Sequence, residues 1–145
     1  MLIKIRRLHP AAIIPSYGSD GAACFDLHAI VDDEPLEVRQ GLTATFRIGL
    51  SFEIPDGHVM MVFSRSGHGF KSDVRLANCV GVIDADYRGE LQVKLTADDG
   101  GKLTVRHGDR IAQAMIVPIP SVRFEEVAQL SKTERGAGGF GSTGA

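Results

Sequence analysis

Cysteine is scarce in this sequence. Cys24 and Cys79 are the 2 among 145 residues. They stand far apart and outside any paired metal-ligand spacing, which argues against a disulfide or a zinc site. Both sit among apolar or small residues, so buried free thiols are the expectation. Net charge is also slight, formally −2. Such a domain feels no general pull toward nucleic acid or an anionic membrane. Any phosphate must be met by local arginines and backbone amides. No apolar run is long enough to span a membrane. Met1 to Arg7 has no long apolar stretch and no small-residue cleavage site. The cytoplasm is therefore the expected compartment. Helical periodicity free of Gly or Pro is missing over any long segment, and no internal repeat or domain linker is evident.

What is present is alternation. The chain is 43% hydrophobic and 23% charged, ordinary globular usage for one domain with one core. Phe46, Ile48, Leu50, Phe52 and Ile54 share one parity, and Arg47, Gly49, Ser51 and Glu53 the other. That pattern predicts one half-buried strand over 46–54. Leu91, Val93 and Leu95 alternate with Gln92, Lys94 and Thr96, and Ile3 and Ile5 with Lys4 and Arg6. Further strands are expected over 59–63, 103–105, 111–117 and 122–124. Pro55-Asp56-Gly57, Asp98 to Gly101 and His107-Gly108-Asp109 supply turns between them. Short strands so spaced predict an all-β sandwich or barrel. One short helix is expected around Ser66 to Val74.

Four stretches could carry chemistry. The ending, Glu134 to Gly144, is glycine-rich with one arginine, Arg135, and one ring, Phe140. It cannot offset the cost of its own ordering by burial, so mobility without a ligand is expected. Gly136, Gly138 and Gly141 formally match a dinucleotide fingerprint, but no strand and helix flank them, so the match is spurious. What remains is backbone N–H, Arg135, Ser142 and Thr143, which can wrap an anion, or a solvated tail. Ser64-Arg65-Ser66-Gly67 can present a hydroxyl and N–H groups to phosphate, or can be a capped helix start. Asn78 to Glu90 has an amide, a phenol and, in its middle, two carboxylates, Asp84 and Asp86, with apolar flanks. Asn78 can read an amide-like base edge. Asp84 follows three apolar residues, which predicts a strand edge with restricted solvent, where a carboxylate can deprotonate water. The plainer reading is a hairpin whose polar residues satisfy its own turn. Gln113, within an apolar strand, needs a partner, in the core or on a ligand.

In this order, these stretches resemble the five motifs of the trimeric dUTPase family: Gly21 to Leu27, Ser64 to Gly67, Gly81 to Glu90, Gly108 to Gln113, and Arg135 to Gly144. The resemblance covers nearly the whole chain. It implies a jelly-roll-like β-barrel or sandwich assembled as a homotrimer. Each active site then draws motifs from three chains. Residues 1–131 would form the barrel domain and residues 132–145 its flexible lid, closing over a site built largely by other subunits.

The resemblance implies hydrolysis of dUTP to dUMP and pyrophosphate, keeping uracil out of DNA and supplying dUMP. Asp84 matches the carboxylate that activates the attacking water. Asn78, with Gly81 in the same pocket, matches the uracil reader. Tyr87 matches the ring that packs on deoxyribose and excludes a 2′-hydroxyl. Arg65, Ser66, Gly67 and Gln113 match phosphate contacts, and Arg135 the tail cation at the terminal phosphate. Phe140 matches the ring stacked on uracil, with Gly141, Ser142 and Thr143 beside the phosphates. Mg²⁺ would be held by the triphosphate and waters, with no direct protein ligand and Asp26 in its outer surroundings. Nucleic acid and membrane are not expected partners; a regulatory protein partner is compatible. His68 and Ser72-Asp73 depart from the family pattern and predict an irregular motif-two helix. His28, His58 and His107 are expected on the surface. The rival readings are a dCTP deaminase-like enzyme of the same fold and a regulatory binding protein with little catalysis. Asp84-x-x-Tyr87 and the Arg-Gly-x-Gly-Gly-Phe-Gly ending favour the hydrolase.

Overall fold

The computed structural model describes residues 1–139. Alternation becomes strand almost throughout them. The strands are β1 (Lys4–Arg7), β2 (Phe25–His28), β3 (Leu36–Arg39), β4 (Ala44–Arg47), β5 (Leu50–Glu53) and β6 (His58–Phe63). After the helix α1 (Ser66–Ser72) come β7 (Val74–Leu76), β8 (Val80–Ile83), β9 (Gln92–Ala97), β10 (Lys102–Val105) and β11 (Arg110–Pro118). All pairings among them are antiparallel. A four-stranded sheet runs β2-β11-β6-β8, a three-stranded one β4-β9-β7, and two ribbons pair β1 with β5 and β10 with β3. One core cluster takes side chains from all four sheets: Leu27 from the first, Phe46 from the second, Leu50 and Val38 from the ribbons. Closing short sheets around a shared core is the all-β barrel solution.

The apolar parity of 46–54 is buried throughout, while of the other parity Arg47 and Glu53 are exposed but Gly49 and Ser51 are buried. Phe46, Ile48 and Leu50 are 0% exposed, Phe52 5% and Ile54 2%. The stretch is not one strand, however. The chain leaves β4, paired with β9, and enters β5, paired with β1. The switch occurs at Gly49, whose φ is 69°. A Cβ there would lie 2.3 Å from Ile30 Cδ1 and 2.9 Å from Ala12 Cβ. Only glycine fits both the backbone and the space.

Three further expectations are corrected. Residues 122–124 form no strand, and Val122 and Phe124 are 71% and 97% exposed. Pro118 and Pro120 remove ladder donors as the chain leaves β11, and no strand among the described residues pairs with the segment. The cysteines are free but not buried: Cys24 is half-buried and Cys79 exposed. Cys79 stands in a tight turn with φ 61°, where Val80 N–H donates to Asn78 O at 2.6 Å. Of the histidines, His107 is exposed, but His28 and His58 are half-buried.

Helix α1 is regular rather than distorted, and it stops two residues short of Val74. Asp73 ends it in the left-handed region at φ 49° and donates its N–H to His68 O. That local role accounts for Ser72-Asp73. Ser66 is the first helical residue, not a cap; Arg65 holds the cap position with no side-chain cap bond. The Ser64 hydroxyl instead accepts Leu76 N–H at 2.9 Å, tying the helix entry to β7.

Candidate active site

Strand β8 is an edge, paired with β6 alone. Its outer face leaves Val80 and Val82 exposed. Gly81 lies opposite Val62, and a Cβ on it would come within 3.1 Å of Val62 Cβ. The missing side chain keeps open a cleft of about 540 Å³ lined by Asn78, Gly81, Val82, Leu91 and Gln92. A second cleft of about 350 Å³ is lined by Asp84, Tyr87 and Glu90, and shares Val82, Ile83, Leu91 and Gln92 with the first. Asn78, Gly81, Asp84 and Tyr87 thus border one groove along the β8 edge.

The loop after β8 is fastened from below. Tyr87 N–H donates to Asp84 O at 3.2 Å, closing a turn. Arg88 Nη1 donates to Ala85 O at 2.6 Å and to Tyr87 O at 3.0 Å. Glu90 accepts Arg47 Nε at 3.1 Å on each oxygen, and Gly49 N–H at 3.0 Å. Glu90 and Arg47 therefore anchor the Asp84–Tyr87 loop to the sheet switch. Arg47 has no signal in the sequence, because it reads as one more outward residue of an alternating strand, and Glu90 shows only as the end of the Gly81–Glu90 motif. Asp84 itself is exposed in the single chain, not shielded as expected. The turn that holds it projects beyond the edge strand.

A second cluster lies on the other side of β6. Gln113 on β11 is the register partner of Asp26 on β2 and of Phe63 on β6. Its Nε2 donates to Ser64 O at 3.0 Å. Asp26 Oδ1 accepts Arg65 Nε at 3.1 Å, and Oδ2 accepts Arg110 Nη1 at 3.2 Å. Arg65, His68, Asp109 and Arg110 line a cleft of about 250 Å³. Ser66 and Gly67, which follow Arg65 at the start of α1, are exposed, and first-turn N–H groups have no partner within a helix. Burial holds the His68 imidazole below its ordinary range, and the nearby Arg65 charge adds to this. His28 is lowered the same way, by burial first, against the opposing pull of Asp26. Both rings are held toward neutrality, and the Nδ1 of each is buried without a partner among the described residues.

The dUTPase family model matches residues 11–144. The chain belongs to the dUTPase family. It is 43% identical to the deoxyuridine 5'-triphosphate nucleotidohydrolase of Nautilia profundicola, over 99% of each chain. It is 46% identical to the same-named protein of Caulobacter vibrioides, over 90% of this chain and 85% of that one. Its fold matches the Staphylococcus bacteriophage 80alpha dUTPase solved with dUPNHPP, at TM-score 0.87 and 26% identity over 99% of each chain.

Against the dUTPase motifs, one chain supplies two separate pieces. The Asn78–Tyr87 groove and the Arg65–Arg110 cleft share no lining residue. The motif-five arginine sits in neither. Arg135 donates from Nε to Gly138 O at 2.8 Å, within its own turn. Phe140, Gly141, Ser142 and Thr143 lie outside the described residues.

Proposed function

We propose that this chain is a dUTP diphosphatase, hydrolysing dUTP to dUMP and pyrophosphate. The observation that carries this is the groove. It sets an amide (Asn78) in one cleft, and a carboxylate (Asp84) with a fastened phenol ring (Tyr87) in the adjoining one, along one strand edge, in a chain of this family. Asn78 pairs with uracil above the gap left by Gly81. Tyr87 lies against the deoxyribose, where a 2′-hydroxyl would collide. Asp84 takes a proton from the water that attacks the α-phosphorus. The P–O bond to the β-phosphate breaks, and pyrophosphate leaves.

Arg65, Ser66, Gly67 and Gln113 receive the phosphates, and Arg135 with residues 140–143 closes over them. Residues 1–131 form the barrel and 132–145 the lid. Because the two pieces lie in separate clefts of one chain, a homotrimer that brings one subunit's groove to another's phosphate cleft completes the site. The donor set suits Mg²⁺ only as an ion carried by the triphosphate and its waters. The described residues offer no group of three His, Cys, Asp or Glu side chains that could hold it, and magnesium readily keeps its water. Bound there, the ion neutralises charge on the phosphates. No helix is long and apolar enough to cross a membrane; the cytoplasm is the compartment we infer.

The test is pyrophosphate release with Mg²⁺ from dUTP, dTTP, dCTP and UTP offered in parallel. Release from dUTP alone is expected. Ammonia from dCTP would instead point to a deaminase, and inertness toward all four would remove the hydrolase reading.

A further inference from the structure

Two unlike contacts meet at Glu90. Its carboxylate, 18% exposed, accepts Arg47 Nε on both oxygens and Gly49 N–H on one. Its main-chain carbonyl accepts the Tyr87 hydroxyl at 3.0 Å. Glu90 thus joins the ring in the groove to the point where the chain passes from β4 to β5. The residue after it is fixed by backbone alone. Leu91 N–H donates to Leu50 O at 2.9 Å, and Leu91 O accepts Ile48 N–H at 3.1 Å. The loop before it is not. Among the described residues, the hydrogen bonds of residues 85–89 close on the loop itself, except the one from the Tyr87 hydroxyl to Glu90. Tyr87 is 45% exposed, so packing alone does not fix the ring.

We propose that Arg47 and Glu90 are positioning residues for sugar discrimination: their ion pair holds the Glu90 carbonyl where it seats the Tyr87 ring against the deoxyribose. This rests on the hydrolase reading above. The Leu91 N–H bond holds one end of the peptide whose other end is the Glu90 carbonyl. The side-chain bonds to Arg47 and Gly49 hold that other end, through the Glu90 Cα. Arg47 is a firm post for this. Its carbonyl accepts Ile30 N–H at 2.9 Å, and it pairs in register with Gln92 of β9. Arg47 lines neither cleft, whereas Glu90 lines the one that holds Asp84. An unpaired carboxylate there would oppose a triphosphate, and the guanidinium neutralises it. That second effect falls equally on dUTP and UTP, so it drops out of their ratio. The seating of the ring does not.

The experiment is Arg47→Met in the full chain, read as kcat/KM for dUTP over that for UTP. Methionine keeps an apolar stem and removes the donor. The pair predicts a ratio lowered about tenfold, mostly by a gain for UTP. A role in stability alone, or in charge near the phosphates, would move both nucleotides together and leave the ratio as it was. Tyr87→Phe keeps the ring and removes the hydroxyl. It should lower the ratio by about the same factor, and Arg47→Met should then add nothing further. An unaltered ratio in Arg47→Met, or two factors that multiply in the double variant, would overturn the proposal. Glu90→Gln is the second variant should Arg47→Met fail to fold. The amide still accepts Gly49 N–H but loses the charge that holds Arg47, so a ratio lowered about threefold is expected, and an unaltered ratio overturns the pair. If the unaltered protein releases no pyrophosphate from dUTP, the hydrolase reading fails, whatever the variants do.

Discussion

The Tyr87 hydroxyl donates to the Glu90 carbonyl at 3.0 Å, and the ring so held occupies the space where a Gly89 side chain would go. A Cβ on Gly89 would lie 2.3 Å from the Tyr87 oxygen. The ring is 45% exposed, so it can swing away at little cost in stability. Gly89→Ala should therefore cost about 1 kcal/mol or less in unfolding free energy, the worth of one exposed hydrogen bond. Its effect should fall on sugar discrimination. The ratio of kcat/KM for dUTP over UTP should drop by about tenfold or more. An unaltered ratio would show that the ring does not need this seat.

Gly49 is the opposite case. Its neighbours are the Ile30 Cδ1 tip and the Cβ atoms of Ala12 and His9, and its φ of 69° is already unfavourable for a side chain. The Ile30 tip could turn aside, but the two Cβ atoms are fixed to their backbones and cannot. Gly49→Ala should destabilise the fold by about 2–4 kcal/mol, combining overpacking with a left-handed backbone. Chemical denaturation reads this directly. Because Gly49 N–H also holds Glu90, the same variant should lose activity at temperatures where it is still folded.

The strands that alternate cleanly were legible because one face of each meets the shared core. Phe46 to Ile54 and Leu91 to Leu95 are of this kind. The break inside the first was not, because the apolar parity of the sequence runs unbroken through Gly49 while the strand partners change and Gly49 and Ser51 of the other parity become buried too. Strand β3 (Leu36–Arg39) gives almost no signal: it is short, carries Glu37 and Arg39, and buries only Val38. Strand β8 does not alternate in the usual sense, since an edge beside a cleft leaves Val80 and Val82 in the open. In the site, Asn78, Asp84 and Tyr87 stand close in sequence, where a motif can show them. Asp26 pairs with Arg110 across 84 residues, and the loop anchor pairs Arg47 with Glu90 across 43. Such pairs exist only once the sheets have formed.

The half-buried histidines give stability an acid limb. The unfolded chain binds a proton on His68 near pH 6.5, while the folded chain, by burial and by Arg65, binds it only at lower pH. Above about pH 6.5 both states are neutral and the group contributes nothing to the slope. Below that, the unfolded state gains the proton first, so stability falls until the folded value is reached. Asp109 and the Ile111 backbone pull the other way but more weakly. His68→Gln should flatten the fall in unfolding free energy below about pH 6.5. An equally steep acid limb in that variant would show that the ring is not held neutral.

The tail is the next test. Residues 132–139 make no hydrogen bond to the barrel among the described residues; Gly136 and Gly138 bond only within their own turn. A chain ending at Lys132 should therefore unfold at nearly the temperature of the full chain and keep its oligomeric state. Its dUTP turnover should fall by a hundredfold or more, about the share that positioning groups and water exclusion contribute. Full turnover by the shortened chain would remove the lid.

The sharpest chemical test is Asp84→Asn. The side chain is exposed in one chain, so the substitution leaves no buried charge unpaired and should leave stability within about 0.5 kcal/mol. The backbone turn that seats it, Tyr87 N–H on Asp84 O, does not involve the carboxylate. The groove should keep its shape, and a non-hydrolysable dUTP analogue should bind within about threefold of the unaltered protein, because asparagine still accepts hydrogen bonds but cannot take a proton. Turnover should fall by about 10²–10⁴-fold, the usual worth of a general base. Binding lost together with turnover would make Asp84 a substrate contact rather than the base, and retained turnover would place the base elsewhere in the assembled site.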